Sequence, residues 1–245
     1  MKLAIITALH ERYKLTGLFL GYYEALKIKG FDIGLFCSIT RGDGLMREIV
    51  SGFPAWTPTA SVNRPLSDKF NASMPAVRDF DPDAMLLVGS DDFVNRKYIT
   101  WTADALSGGH LVVPKQIYFY DTATNRLMWG MYNRAGAGRM FSRECLQMCD
   151  YMPWPDKWDA LDGGQDKRLS VDNGYAWVRP DDTDSFGGVI LDVKTSENIW
   201  PFDHMLKRSH GFREPAPFLK KHFPSISGTL LNWHDDAVHS DTDGR

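Results

Sequence analysis

Cysteine is scarce in this chain: Cys37, Cys145 and Cys149 are the three in 245 residues. An odd, sparse set excludes a disulfide framework and points to a reducing compartment, read here as the cytoplasm. Long apolar runs are absent too. No stretch approaches the roughly 18 apolar residues of a membrane-spanning helix. The opening residues superficially resemble a secretion signal, but His10, Glu11 and Arg12 interrupt them and no small-residue cleavage site follows, so they read as a first strand. Excess charge of one sign is missing: 28 basic against 31 acidic residues leave a net charge of −3, which excludes a whole-molecule trap for polyanions. What is present is an ordinary globular composition, 43% apolar, in a chain long enough for one large core.

The chain divides into an α/β first half and a mixed second half. Leu3 to Ala8 reads as a buried strand. Leu15, Leu18, Phe19, Tyr22 and Leu26 form one helical stripe that Gly30 ends, and Asp32 to Cys37 is a second strand. This spacing predicts a parallel strand–helix–strand unit. A short helix fits Gly44 to Val50, and another fits Ser67 to Val77, ending near Pro75. Asn95 caps a helix to about Leu106. Leu111 to Tyr120 and Arg126 to Tyr132 form a hairpin, and Gly188 to Val193 is a strand. We expect one domain over 1–231, with a first half over 1–107 and a second over 108–231, and a polar, flexible tail over 232–245.

The most informative stretch is Ala84-Met85-Leu86-Leu87-Val88-Gly89-Ser90-Asp91-Asp92. Five apolar residues make a short buried strand that runs straight into two adjacent carboxylates. Buried like charges repel and need a partner. A hard divalent cation is the common remedy, because it takes carboxylates and then a substrate's phosphates. Strand ends are also where open α/β sheets hold ligands. The bland alternative is a polar turn whose aspartate caps the next helix.

Three ordered stretches carry a resemblance. Lys69-Phe70-Asn71 precedes the central strand. Val88-Gly89-Ser90-Asp91-Asp92 looks like an Asp-x-Asp metal motif. The segment from Gly136 to Arg143, followed by Gly163-Gly164-Gln165-Asp166, is similar to an acceptor loop and a Glu-Asp base motif. Together with Thr7 to Arg12 they resemble the glycosyltransferases of GT-A fold, family 2-like, over about residues 1 to 210. The resemblance implies an α/β fold with a Rossmann-like mixed sheet flanked by helices. It also implies a first half that binds a nucleotide sugar and a second that binds the acceptor. Three positions depart from the pattern. Gly89 stands for the first Asp, Gln165 for the usual Glu, and Ser38 or Ile39 for the base-contacting Asp, which leaves the nucleotide open.

The implied activity is transfer of a sugar, with inversion, from a nucleotide-diphosphate sugar such as a UDP-sugar, assisted by Mn²⁺ or Mg²⁺. Asp91 and Asp92 would hold the metal, with His204, or Asp203 beside it, completing the shell. Asp166 would be the general base. Thr7, Arg12, Lys69, Asn71, Asp91 and Arg139 would contact the donor, cations being suited to its diphosphate. Trp154 and Trp158 are aromatic platforms for a sugar or base, or packing residues.

Acceptor identity is least legible. Residues 205–222 carry Lys207, Arg208, Arg213, Lys220 and Lys221 against Glu214, with Phe212 and Phe218 interleaved. That pattern fits a surface tracking a phosphate backbone or a merely solvated face. Small stand-alone relatives include bacteriophage enzymes that glycosylate hydroxymethylated DNA bases, so DNA stands beside a glycan or lipid-linked glycan as acceptor. A flipped-out base would be required. The rivals are a sugar-nucleotide nucleotidyltransferase, disfavoured because Thr7 to Arg12 contains no glycine, and a non-catalytic nucleotide- or glycan-binding protein.

Overall fold

The computed structural model describes residues 1–132, 135–154, 165, 167–180, 182–196 and 202–239, with side chains through 233. Two sheets organise it. The first half supplies strands β1 (Lys2–Leu9), β2 (Asp32–Thr40), β3 (Trp56–Ser61), β4 (Ala84–Leu87) and the short β5 (Asp92–Val94). The second supplies β6 (Leu111–Val112), β7 (Gln116–Asp121), β8 (Arg126–Met131), β9 (Met140–Ser142), β10 (Trp177–Val178), β11 (Ile190–Lys194) and β12 (Ser209–Arg213).

The larger sheet runs β10-β6-β9-β4-β1-β2-β3 and the smaller β12-β8-β7-β11-β5. Strands β3, β2, β1 and β4 are parallel, whereas β9 joins β4 antiparallel. The two sequence halves therefore interleave: three short strands of the second half extend the first half's sheet. On β1, Leu3 and Ile5 face the larger core, and Ala4 and Ile6 face a second core on the opposite side. Burial on both faces is why this strand is continuously apolar.

The helices are α1 (Tyr13–Glu24), α2 (Gly44–Ser51), α3 (Leu66–Asn71), α4 (Met74–Phe80), α5 (Arg96–Ala105), α6 (Arg143–Met148), α7 (Phe202–Leu206), α8 (Pro215–His222) and α9 (Ser227–His239). Helix α1 packs Phe19 and Tyr22 against Phe93 of β5, with ring centroids at 6.0 and 5.3 Å from Phe93. Asn95 caps α5 by accepting from the Tyr98 N–H at 3.0 Å.

Three local patterns resolve differently from the sequence reading. The helix placed over Ser67 to Val77 is two helices, and Pro75 lies in the first turn of the second, after Met74, instead of ending the first, as its missing N–H allows there. The strand placed over Leu111 to Tyr120 breaks around Pro114, so β6 and β7 enter different sheets. Helix α9 continues past position 232, where a polar tail is expected. Among the described residues, no helix is long and apolar enough to cross a membrane.

Candidate functional site

The parallel strands β1, β2 and β4 share one direction, so the segments that follow them gather at one end of the sheet. The His10–Arg12 turn follows β1, and Ser90-Asp91-Asp92 follows β4. Strand β11 approaches from the smaller sheet, antiparallel to β5, with Asp192 directly opposite Asp92. Oxygens of Asp91, Asp92 and Asp192 thus lie within 4.8 Å of one another. Like charges in direct cross-strand register repel.

The protein's own cations partly neutralise this cluster. Arg12 places Nη1 2.7 Å from Asp91 Oδ2 and donates from Nη2 to Ser90 Oγ at 2.6 Å. Lys194, two residues along β11 from Asp192 and so on the same face, places Nζ 2.7 Å from Asp192 Oδ2. Asp92 Oδ2 accepts the Gly89 N–H at 2.7 Å. Burial, with repulsion from Asp91 and Asp192, still pushes the Asp92 carboxyl well above the usual range. Burial pushes Asp192 up to about 6, although Lys194 pulls the other way. Burial also disfavours charge on Arg12 and Lys194, but the carboxylates outweigh it and raise both.

Gly89 has a steric reason. A Cβ there would sit 2.6 Å from Asp92 Oδ2 and 3.0 Å from Asp91 Oδ1. A side chain at this position would occupy the space in which the two carboxylates converge, so an aspartate could not stand there without moving them.

The expected site residues fall into four groups. Arg12, Asp91 and Asp92 meet at the cluster. Thr7, Lys69, Asn71 and Arg139 are buried and lie outside the three-carboxylate cluster. Arg139 donates to the Ala135 carbonyl at 2.8 Å and to Gln165 Oε1 at 2.9 Å. Asn71 donates to the Trp154 carbonyl at 3.2 Å. Lys69 donates to Thr40 Oγ1 at 2.8 Å and Asn63 Oδ1 at 3.1 Å, and Asn63 reaches His10 Nε2 at 3.1 Å. Lys69 therefore ties the ends of β2 and β3 to the turn after β1. Trp154 is fully buried and stacks on Phe70 at 4.9 Å, a packing role in place of a sugar platform. His204 is exposed on α7, outside the three-carboxylate cluster, and Asp203 Oδ1 pairs with Arg126 at 3.1 Å. The third acidic member is Asp192 instead. Asp166, Gly163, Gly164 and Trp158 lie outside the described residues.

Asp192 and Lys194 escaped the sequence reading, although a signal existed. Val-Ile-Leu-Asp-Val-Lys places two charges at alternate positions of a strand otherwise buried. Charges on one face of such a strand need a common site.

No family model and no curated protein matches the sequence. Solved structures do match the fold. S. aureus TarS 1–349 in complex with UDP-GlcNAc aligns with a TM-score of 0.54 at 12% identity, covering 100% of this chain and 75% of that one. The mannosyltransferase PcManGT of Pyrobaculum calidifontis, in complex with GDP-Man and Mn²⁺, aligns at 0.56 and 13%, covering 99% and 75%. The fold is GT-A. A protein of Desulfovibrio desulfuricans G20 assigned as a nucleotide-diphospho-sugar transferase has nearly the same extent, covering 97% of each chain at a TM-score of 0.54 and 11% identity. In this GT-A chain Asp91 and Asp92 stand just past the carboxyl end of the parallel strand β4, where open α/β sheets place their ligands.

Proposed function

We propose that this protein is a glycosyltransferase that moves a sugar from a nucleotide-diphosphate sugar to an acceptor hydroxyl, with Mn²⁺ or Mg²⁺ held by Asp91, Asp92 and Asp192. The observation that carries this reading is the convergence of three carboxylates at the strand ends of a GT-A fold. The donor set suits a hard divalent cation: all ligands are oxygens, and Asp192 Oδ1 is buried with no hydrogen-bond partner among the described residues. When bound, such a cation neutralises charge on the departing diphosphate, a contribution on the order of several kcal/mol. That TarS was solved with UDP-GlcNAc and PcManGT with GDP-Man and Mn²⁺ supports testing UDP- and GDP-sugars first.

The chain's own groups supply the remaining chemistry. Arg12, beside Asp91, would donate to the diphosphate. The bridge from Lys69 to Thr40, Asn63 and His10 shapes the wall on which the nucleoside rests. Asp166 takes the proton of the acceptor hydroxyl as that oxygen attacks the anomeric carbon from the face opposite the leaving phosphate. The result is inversion through an oxocarbenium-like transition state. Arg139 fixes Gln165, the residue before Asp166 in sequence, by a buried hydrogen bond.

The test is release of UDP or GDP from a panel of donors with and without Mn²⁺, and with hydroxymethylated DNA or oligosaccharides as acceptors. We expect metal-dependent release from one donor class. Asp91→Asn should lower it by about 10²–10³-fold, the rate equivalent of several kcal/mol. Asp166→Asn should lower it by about 10²–10⁴-fold. Near-normal turnover in Asp91→Asn would sink the metal assignment. Pyrophosphate release from a nucleoside triphosphate and a sugar phosphate would favour a nucleotidyltransferase, and binding without turnover a non-catalytic protein.

A further inference from the structure

Both cations at the cluster are bonded to the same carboxylates that the proposed metal would use. Arg12 Nη1 is 2.7 Å from Asp91 Oδ2, and Lys194 Nζ is 2.7 Å from Asp192 Oδ2. Neither is a solvated surface ion. The Arg12 side chain is 17% exposed and that of Lys194 6%. Each also feels the cluster beyond its own partner: Arg12 interacts with Asp92 and Asp192, and Lys194 with Asp91 and Asp92. Arg12 is held there by backbone in the left-handed region, with φ of 52° at Glu11 and 51° at Arg12. Non-glycine residues adopt that conformation at a cost. A hydrogen bond to Ser90 Oγ fixes the guanidinium further.

Three carboxylates against two side-chain cations form a nearly neutral unit. A divalent ion entering alone would meet three carboxylates each already engaged through Oδ2, and two positive charges close by. A diphosphate entering alone would meet cations already paired with acids. Were both to arrive together, the carboxylates would be free to hold the metal and the released guanidinium and ammonium to hold the phosphate oxygens.

We infer that Arg12 and Lys194 are exchangeable counter-ions: they cap the carboxylate cluster in the free protein and become diphosphate ligands when metal and nucleotide bind together. Lys194 is thereby added to the donor-binding set. The inference rests on the metal-dependent reading above. Its thermodynamic consequence is positive coupling between metal and diphosphate, equal in both directions.

The test is Mn²⁺ binding, followed by loss of the free-ion paramagnetic resonance signal and by calorimetry, alone and with saturating UDP or GDP. It uses the full chain, Arg12→Gln and Lys194→Met. In the unsubstituted protein Mn²⁺ should bind weakly alone and about tenfold or more tightly with one nucleoside diphosphate. In Arg12→Gln, Mn²⁺ alone should bind several-fold more tightly, because a competing cation is gone. The enhancement by nucleotide should shrink. Lys194→Met should do the same, and it serves as the independent variant if Arg12→Gln does not fold. Equal Mn²⁺ affinity and undiminished coupling in folded variants would overturn the exchange while leaving the metal-dependent reading intact. No Mn²⁺ binding to the unsubstituted protein with either nucleotide would overturn both.

Discussion

At the scale of single residues, charge and volume around Asp91 and Asp92 decide the site. Gly89 is the clearest case. Its missing Cβ leaves room for both carboxylates, and its N–H holds one of them. Gly89→Ala is expected to displace the pair and abolish metal-dependent turnover, although the change adds a single methyl group; activity within about twofold of the parent would show that the pair tolerates the contact. Lys69 gives a second prediction. Burial lowers its pKa to about 8, against the pull of Asp43 and Glu11. Because the folded value lies below the unfolded one, the unfolded chain binds more protons between pH 8 and the ordinary lysine value, so Lys69's contribution to stability rises with pH across that window and is flat below it. Melting curves at pH 7 to 10 should show this rise in the parent relative to Lys69→Met. A constant difference between the two would refute the shift.

At the scale of elements, α1 and β5 act together. The Tyr23 hydroxyl donates to the Asp92 carbonyl at 2.9 Å and accepts the Val94 N–H at 3.1 Å, all in the core. Tyr22 donates to the Val94 carbonyl at 2.9 Å. A helix near the start of the chain therefore holds the backbone of a strand some 70 residues later. Tyr23→Phe keeps the ring packing but strands a buried N–H. Its cost should be about 1–3 kcal/mol, seen as a fall in melting temperature of about 2–4 °C per kcal/mol for a chain of this size. The same substitution should also weaken Mn²⁺ binding, since Asp92 loses its backbone anchor. A stability loss with unchanged metal affinity would confine α1 to packing. The helical stripe was legible because its apolar period is local; the tyrosine hydroxyls' partners were not, because they come from a distant strand.

At the scale of the whole molecule, the chain passes from β4 of the larger sheet through Ser90 and Asp91 into β5 at the edge of the smaller sheet, and the β5–β11 pair at that crossing holds the cluster. A ligand bound across it should stabilise the native state as a unit. UDP or GDP with Mn²⁺ at 100 times the dissociation constant should add about 2.7 kcal/mol by mass action. The melting temperature should rise more with both ligands than with the sum of each alone. Purely additive shifts would argue against a site shared by the two. The exposed strip on β12, where Arg213 lies over Trp129 and Phe212 is 55% exposed, is the surface at which acceptor variants should be directed after the donor is known.

The sequence by itself determined the parallel start of the fold and the buried strand that delivers Asp91 and Asp92. Each rests on a local pattern: a continuous apolar run, a helical stripe, a polar pair at a strand end. Only the tertiary structure decided that Asp192 and Lys194 join the carboxylate cluster and that Thr7, Lys69, Asn71 and Arg139 are buried outside it. Likewise, His204 and Trp154 lie elsewhere. The reason is physical. A site's donors converge through pairing between strands about 100 residues apart, β5 with β11. That register is set by pairing inside the smaller sheet, while the sequence around each residue records its own strand alone.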